Sequence, residues 1–236
     1  LIHDYFQGTW RWSLFWVSGS IYFQCVLFLL TAIFVFALFL GFHSRIASVG
    51  CWVLIASLYN RAPFTVSGAD TLLVIFLFWG MFLPLGACWS WDAMRRDTNS
   101  QTNKVVLSGG TVAILIQIAL LYFCTGCFKA IIHANPELLL ENALQWADYN
   151  RPVGNWLVAY PNILWFLSWS TIVLEIVAPW LLFSPWKTNT LRLLVLAGLC
   201  SLHIGIELTL SVALFSYIAF AGLTLFLPTA FWNTLD

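Results

Sequence analysis

Residues 15–42 read FWVSGSIYFQCVLFLLTAIFVFALFLGF and contain no Asp, Glu, Lys, Arg or His. A helix needs about 20 consecutive apolar residues to cross the hydrocarbon of a bilayer. This run is long enough to cross with tilt, or to begin in the interface. Polar and charged side chains return directly after it, at His43, Ser44 and Arg45. The stretch therefore predicts a membrane-spanning helix and decides the fold class of the chain.

The composition of the whole chain agrees with this interpretation. Of 236 residues, 61% are hydrophobic and 8% are charged, whereas soluble proteins carry about 25% charged residues. The mean hydropathy is +0.87, and the formal net charge is +0. A neutral chain offers no basic face to a nucleic acid. We expect one membrane domain over residues 1–236, with no soluble domain and no nucleic-acid partner.

Further apolar segments follow along the chain. They cover residues 46–59, 70–89, 105–128 and 163–183, and we divide the region 191–227 into two segments that meet near Thr209. The 46–59 run is short for a crossing, so we expect it to be tilted or enclosed by its neighbours. Residues 136–144, PELLLENAL, predict a short amphipathic helix at the interface. The predicted fold is all-α, a polytopic transmembrane helical bundle of about seven membrane segments with a short interfacial amphipathic helix.

The Lys and Arg residues of the loops predict the orientation. If every segment crosses, one side holds Arg45, Arg95, Arg96, Lys104, Lys187 and Arg192, and the other holds Arg11, Arg61, Lys129 and Arg151. Cytoplasmic loops carry an excess of Lys and Arg. We therefore expect residues 129–161 on the non-cytoplasmic side of a membrane, most simply the bacterial inner membrane.

Five ionisable side chains fall at predicted membrane depth, where each costs at least about 2.5–3.5 kcal/mol to insert. They are Asp70, Lys129, Glu175, His203 and Glu207. Lys129 follows an apolar run, so it is either a snorkelling helix anchor or a partly desolvated amine that can act as a base. Glu175 lies in the middle of a span and is either half of a structural ion pair or a functional carboxylate.

The other three residues also have two interpretations each. His203 and Glu207 are four residues apart, so one helix face carries both. They either satisfy each other and join two helices, or they belong to a site. Asp70 follows Ser67 by three residues, a spacing that suits a helix cap. A cap and a functional role are equally open for this residue.

The cysteines and glycines of the spans favour packing over chemistry. Cys124 and Cys127 form a C-x-x-C, but this motif lies inside an apolar helix, where a redox role is the less favoured interpretation. The six cysteines show no zinc-type spacing, so we expect no metal. Gly126, with Gly41 and Gly86, is expected to allow close approach of helices.

Several stretches together carry a resemblance to one family. Residues 61–64, RAPF, and 67–73, SGADTLL, resemble the RNP…GGDxLL signature of the HTTM domain, and residues 89–92, WSWD, resemble the aromatic-Ser-x-Asp that closes the same helix. Residues 122–129, YFCTGCFK, resemble the YFxxGxxK segment of vitamin K-dependent gamma-glutamyl carboxylase, whose bacterial relatives form the HTTM family. The spacing of Glu175, His203 and residues 215–217, FSY, also matches, and the likeness covers nearly the whole chain.

The resemblance implies a reaction. In the carboxylase, the lysine that matches Lys129 is the base that deprotonates vitamin K hydroquinone, and the alkoxide formed after oxygen addition removes a gamma proton from glutamate. Carbon dioxide then traps the carbanion. The resemblance thus implies Lys129 as the base, and the enzyme hypothesis takes Lys129, His203, Glu175 and Asp70 as catalytic candidates that converge on one exterior-facing cavity. The resemblance further implies a quinone or hydroquinone cofactor, for which we take Tyr122 and Glu207 as candidate binding residues.

Two departures from the carboxylase leave the function open. The carboxylase has a histidine, needed for oxygenation, near the position of Ala69 and Asp70, and its membrane region is followed by a large lumenal domain. We therefore do not expect full carboxylase activity on a propeptide-bearing protein from this chain alone.

One hypothesis is a gamma-carboxylase-like enzyme using lysine-base or quinone-linked chemistry. The alternative is a non-catalytic membrane factor, either a peptide-maturation component or an accessory subunit of a larger membrane complex, with membrane lipid and other membrane subunits as partners.

Overall fold

A computed structural model describes residues 11–95, 108–132, 139–145 and 150–232, and these ranges are helical without a β-strand. Their longer helices are α1 (Ile21–Leu40), α2 (Ser44–Arg61), α3 (Gly68–Gly80), α4 (Gly109–Ile132), α5 (Leu139–Leu144), α6 (Pro152–Leu157), α7 (Pro161–Leu182), α8 (Thr188–Thr209) and α9 (Phe215–Leu223). The chain divides into two compact units, Leu1–Ile114 and Leu115–Asp236. The assignment of a single domain stays a prediction.

Helices α1, α4, α7 and α8 are long and apolar enough to cross a membrane, and they make the chain a membrane protein. The described residues thus provide four candidate crossings. Helix α3 and residues 215–226 are apolar but shorter than a full crossing. The total of seven membrane segments therefore stays a prediction.

Helix α2 packs against both α1 and α3. It buries the small polar residues Ser44, Ser48 and Ser57, and the Ser13 hydroxyl donates to the Ser57 carbonyl oxygen at 2.6 Å. Small side chains let neighbouring helices approach closely. The expectation that the short 46–59 segment is enclosed by its neighbours is confirmed.

The third apolar segment ends earlier than its sequence predicts. The run 70–89 suggests one helix, but α3 ends at Gly80. Pro84 follows, and proline has no backbone N–H and disfavours the helical conformation in the residue before it. The chain turns helical again only at Trp91–Met94, where Ser90 is the N-cap. Residues 89–92 thus begin a separate helical turn and do not close α3, which corrects that part of the resemblance.

Asp92 fixes the connection between α1 and α2. Its Oδ1 accepts from the His43 N–H at 2.9 Å, and its Oδ2 accepts from the Ser44 N–H at 2.8 Å and the Ser44 hydroxyl at 2.7 Å. Gly41 ends α1 with φ +65°, and Ser90 packs so closely that a side chain at Gly41 has no room. The tight turn therefore depends on a glycine and on a carboxylate at the start of α2.

The last apolar region breaks where the sequence predicts. Helix α8 ends at Thr209 and α9 begins at Phe215. The described part of the predicted amphipathic helix is α5, which packs against α7 and buries Leu144. Residues 136–138 lie outside the described ranges, as do Arg96 and Lys104, which contributed to the orientation argument.

We predict that Asp92 makes the fold sensitive to acid. The Ser44 backbone and hydroxyl hydrogen bonds, with that of His43, hold the pKa of Asp92 below its ordinary value. A depressed folded-state pKa gives stability that is present above the unfolded pKa and is lost as pH falls through the folded pKa. Asp92→Asn should melt below wild type at about pH 7, and the difference should shrink as the pH falls from about 4 through the lower folded-state pKa. Thermal unfolding in detergent measures this, and equal melting temperatures at neutral pH would contradict it.

A matched pair of substitutions tests the orientation. Trp156 and Trp186 are both exposed and lie beyond opposite ends of α7. In a variant without native cysteines, we expect Trp156→Cys to react with a membrane-impermeant maleimide on intact cells. Trp186→Cys should react only after the cells are permeabilised. The reverse pattern would overturn the placement of residues 129–161 outside.

Candidate functional site

Helix α4 carries Tyr122, Gly126 and Lys129 on one face, because they are separated by four and three residues. Gly126 lies against α7. A Cβ atom there would approach Glu175 Cβ to 3.0 Å and Ile176 Cγ1 to 2.8 Å. The missing side chain therefore permits the close helix contact that the sequence predicts, and this contact brings Lys129 within reach of Glu175.

Lys129 and Glu175 form an ion pair at the edge of the packed helices. Lys129 Nζ donates to Glu175 Oε1 at 2.6 Å. Glu175 is only 4% exposed, whereas the Lys129 side chain is 26% exposed. Lys129 lies in the last turn of α4 rather than after the helix. The Glu175 carboxylate is thus buried, whereas the Lys129 amine that pairs with it is partly exposed.

The second carboxylate oxygen of Glu175, Oε2, is buried. Thr125 lies next to the carboxylate, but its hydroxyl donates to the Tyr122 carbonyl oxygen at 3.0 Å. Within the described residues, Glu175 Oε2 has no hydrogen-bond partner. A buried acceptor without a partner costs about 1–3 kcal/mol, so this atom is a candidate contact for a bound molecule.

His203 of α8 pairs with Tyr122 of α4. The Tyr122 hydroxyl and His203 Nε2 are 2.9 Å apart, and both side chains are buried. The rings of Phe215 and Phe220 lie 5.6 and 5.8 Å from the imidazole centroid. His203 Nδ1 is buried and has no partner in the described part of the chain. Glu175 and His203 are therefore both buried, and each has a polar partner.

Glu207 has a partner that the sequence did not reveal. Arg151 Nη2 donates to Glu207 Oε1 at 2.6 Å, and the Arg151 backbone N–H donates to the Thr209 carbonyl oxygen at 2.9 Å. His203 and Glu207 share a face of α8 but bond to different elements. Arg151 precedes α6 and is distant in sequence, so only the need of a membrane carboxylate for a cation could have suggested it.

Asp70 belongs to the other compact unit, where it has a structural role. Its Oδ2 accepts from the Ser67 N–H and the Ser67 hydroxyl, each at 2.8 Å. The Ser67 hydroxyl accepts from the Asp70 N–H at 3.4 Å, which completes a capping box at the start of α3. The cap interpretation of Asp70 is confirmed.

Four of the remaining candidates, Lys129, Glu175, Tyr122 and His203, form one cluster in residues 115–236, whereas Glu207 pairs with Arg151. Tyr122 lies within electrostatic range of Glu175, and His203 lies within range of Lys129. The cluster combines a buried carboxylate, a primary amine and a phenol–imidazole pair, which are groups that can hold and move protons. Comparisons with protein-family models, curated proteins and solved structures found no match for this chain.

We predict that Gly126 is required for the close contact of α4 and α7. Gly126→Ala should lower stability by about 1–3 kcal/mol, because the added methyl group meets Glu175 and Ile176 in a packed interface. The control is Gly205→Ala, because Gly205 in α8 has nothing within 4 Å of an added Cβ. That variant should equal or exceed wild type, since alanine favours a helix by about 1 kcal/mol over glycine. Thermal unfolding in detergent compares them, and equal behaviour of the two variants would refute the prediction.

Proposed function

We propose that this membrane protein is a relative of the HTTM family in which Lys129 acts as a base in quinone-linked, gamma-carboxylase-like chemistry on the non-cytoplasmic side. The observation that supports it best is the 2.6 Å contact between Lys129 Nζ and Glu175 Oε1, with the amine one-quarter exposed. The order and spacing of the motifs around Tyr122–Lys129 supply the reaction class. The Lys129–Glu175 ion pair can generate a neutral amine, because Glu175 can take a proton from Lys129.

Proton transfer within the pair is the first step of this mechanism. The Lys129 ammonium passes a proton to Glu175 Oε1, which leaves a neutral amine beside a neutral carboxylic acid. In this proposal the exclusion of water by substrate favours the neutral pair, because desolvation penalises two charges more than two neutral groups. Lys129 Nζ then accepts a proton from the substrate, while Glu175 retains the first one. No change in the packing of α4 and α7 is needed between these states.

A quinone or hydroquinone is the cofactor of this proposal, and buried polar atoms without partners support it. Glu175 Oε2, His203 Nδ1 and Glu207 Oε2 are buried atoms without a hydrogen-bond partner in the described ranges. A hydroquinone carries two hydroxyl groups that can bond to a carboxylate oxygen or an imidazole nitrogen, and its apolar ring suits a site near His203, whose neighbours are Phe215 and Phe220. Glu175, His203 and Glu207 would hold it, and Tyr122 would orient His203. When bound, such a group supplies redox chemistry that side chains lack.

A non-catalytic membrane factor is the second candidate function. The same pair supports it, because Lys129 and Glu175 neutralise each other and join α4 to α7. Tyr122 with His203 joins α4 to α8 in the same way. A network of this kind fixes helix positions in a subunit or peptide-maturation component without any reaction.

Substitution of Lys129 in lipid nanodiscs separates the two candidates. The probe is menadiol, the reduced form of 2-methyl-1,4-naphthoquinone, and its oxygen-dependent consumption is followed by absorbance. Wild type should exceed protein-free nanodiscs, and Lys129→Met should lose about a hundredfold or more, the usual contribution of a general base. Lys129→Arg should fail too, since a guanidinium is not deprotonated in this range.

The matched control is Arg45→Met, which removes an exposed cation of α2 and should react like wild type. Retention of activity in folded Lys129→Met would exclude the base role. A wild-type rate equal to that of empty nanodiscs would instead exclude the quinone-linked reaction and favour the non-catalytic factor.

A further inference from the structure

An apolar groove lies between α4 and α7, towards the end of α7. Its volume is about 610 Å³, and it is lined by Ile116, Leu120, Phe123, Trp180, Phe183 and Pro185, among others. Volumes of about 300–1,000 Å³ are typical of sites that hold a small molecule. Both helices are candidate membrane spans, so the molecules that meet this groove are lipids.

Two cations, Lys187 and Arg192, follow the last groove residue, Pro185, closely in sequence. Arg192 Nε donates to the Leu182 carbonyl oxygen at 3.1 Å, which holds the guanidinium at the end of α7, one residue before Phe183 of the groove. This bond uses one of the five N–H donors of the guanidinium. Lys187 follows Pro185 of the groove by two residues, and its ammonium lies 5.1 Å from the centroid of the Trp186 ring. Trp186 is 67% exposed, as an aromatic anchor at the membrane interface would be.

We infer that this groove binds an anionic phospholipid, with one acyl chain along α4 and α7 and the phosphate at Lys187 and Arg192. The groove supplies apolar contact for a chain, and the cations lie where the chain would join its headgroup. Basic sites between membrane helices bind anionic headgroups for the same electrostatic reason. The inference concerns different residues from the Lys129 cluster and does not depend on its chemistry.

The charge balance favours an anionic over a zwitterionic headgroup. The segment 183–192, FSPWKTNTLR, carries two cations and no Asp or Glu. An ammonium or choline group would add like charge to this region, whereas a glycerol group would not. The site should therefore distinguish phosphatidylglycerol from phosphatidylcholine even when their acyl chains are identical.

Native mass spectrometry of the full chain in detergent tests the inference. The probes are palmitoyl-oleoyl phosphatidylglycerol, phosphatidylcholine with the same chains, and inorganic phosphate. Wild type should retain phosphatidylglycerol about tenfold better than phosphatidylcholine. Lys187→Gln should weaken phosphatidylglycerol binding about fivefold, and Lys187→Gln with Arg192→Gln about thirtyfold, which are the effects of one and two cations near a membrane surface. Leu120→Trp, at a half-exposed groove position, should block the chain.

The control for lost charge is Arg45→Gln, which removes an exposed cation of α2 and should not change retention. Equal retention of the two lipids, or full retention in folded Lys187→Gln, would overturn the inference. Unchanged binding in Leu120→Trp would exclude the acyl-chain groove. Displacement of the lipid by inorganic phosphate would show that the cations bind a free anion and would likewise overturn it.

Discussion

A carboxylate in the middle of a membrane span must have a partner, because hydrocarbon offers no water to solvate its charge. Glu175 meets this requirement through Lys129, at 2.6 Å. The contact requires α4 and α7 to pack closely, and Gly126 provides the space. The same face of α4 then places Tyr122 against His203 of α8. One face of α4 thus satisfies the buried carboxylate of α7 and contacts the imidazole of α8.

The structural and chemical uses of this ion pair are compatible. As two charges, the pair joins α4 to α7. As an amine and a carboxylic acid, it keeps the hydrogen bond and loses only the charge separation. A proton can therefore be moved without disturbing the helix contact, provided that water stays excluded. Such a pair is suited to a membrane enzyme and equally to a purely structural subunit, which is why the activity measurement decides between them.

Much of this fold could be predicted from hydrophobic runs, and part of the site from residues that are costly in hydrocarbon. The span containing Glu175, the break near Thr209 and the cap at Asp70 follow from local patterns, since each depends on residues a few positions apart.

The early end of α3 was missed because its apolar run continues through Pro84, although the helix does not. The partner of Glu207 was missed because Arg151 lies in a distant segment that only the tertiary fold brings near. Asp70, a catalytic candidate with Lys129 on sequence grounds, forms a capping box at the start of α3.

The two bonds of Arg151 affect how this part of the protein can open. Its side chain holds Glu207 near the end of α8, while its backbone N–H holds the Thr209 carbonyl oxygen. The adjacent Asn150 amide donates to the carbonyl oxygen of Leu144, at the end of α5. The ends of α5 and α8 are thereby connected through two consecutive residues. In amide hydrogen exchange, the N–H of Arg151 should be protected together with the last turn of α8, as one cooperative opening unit rather than as an independent loop.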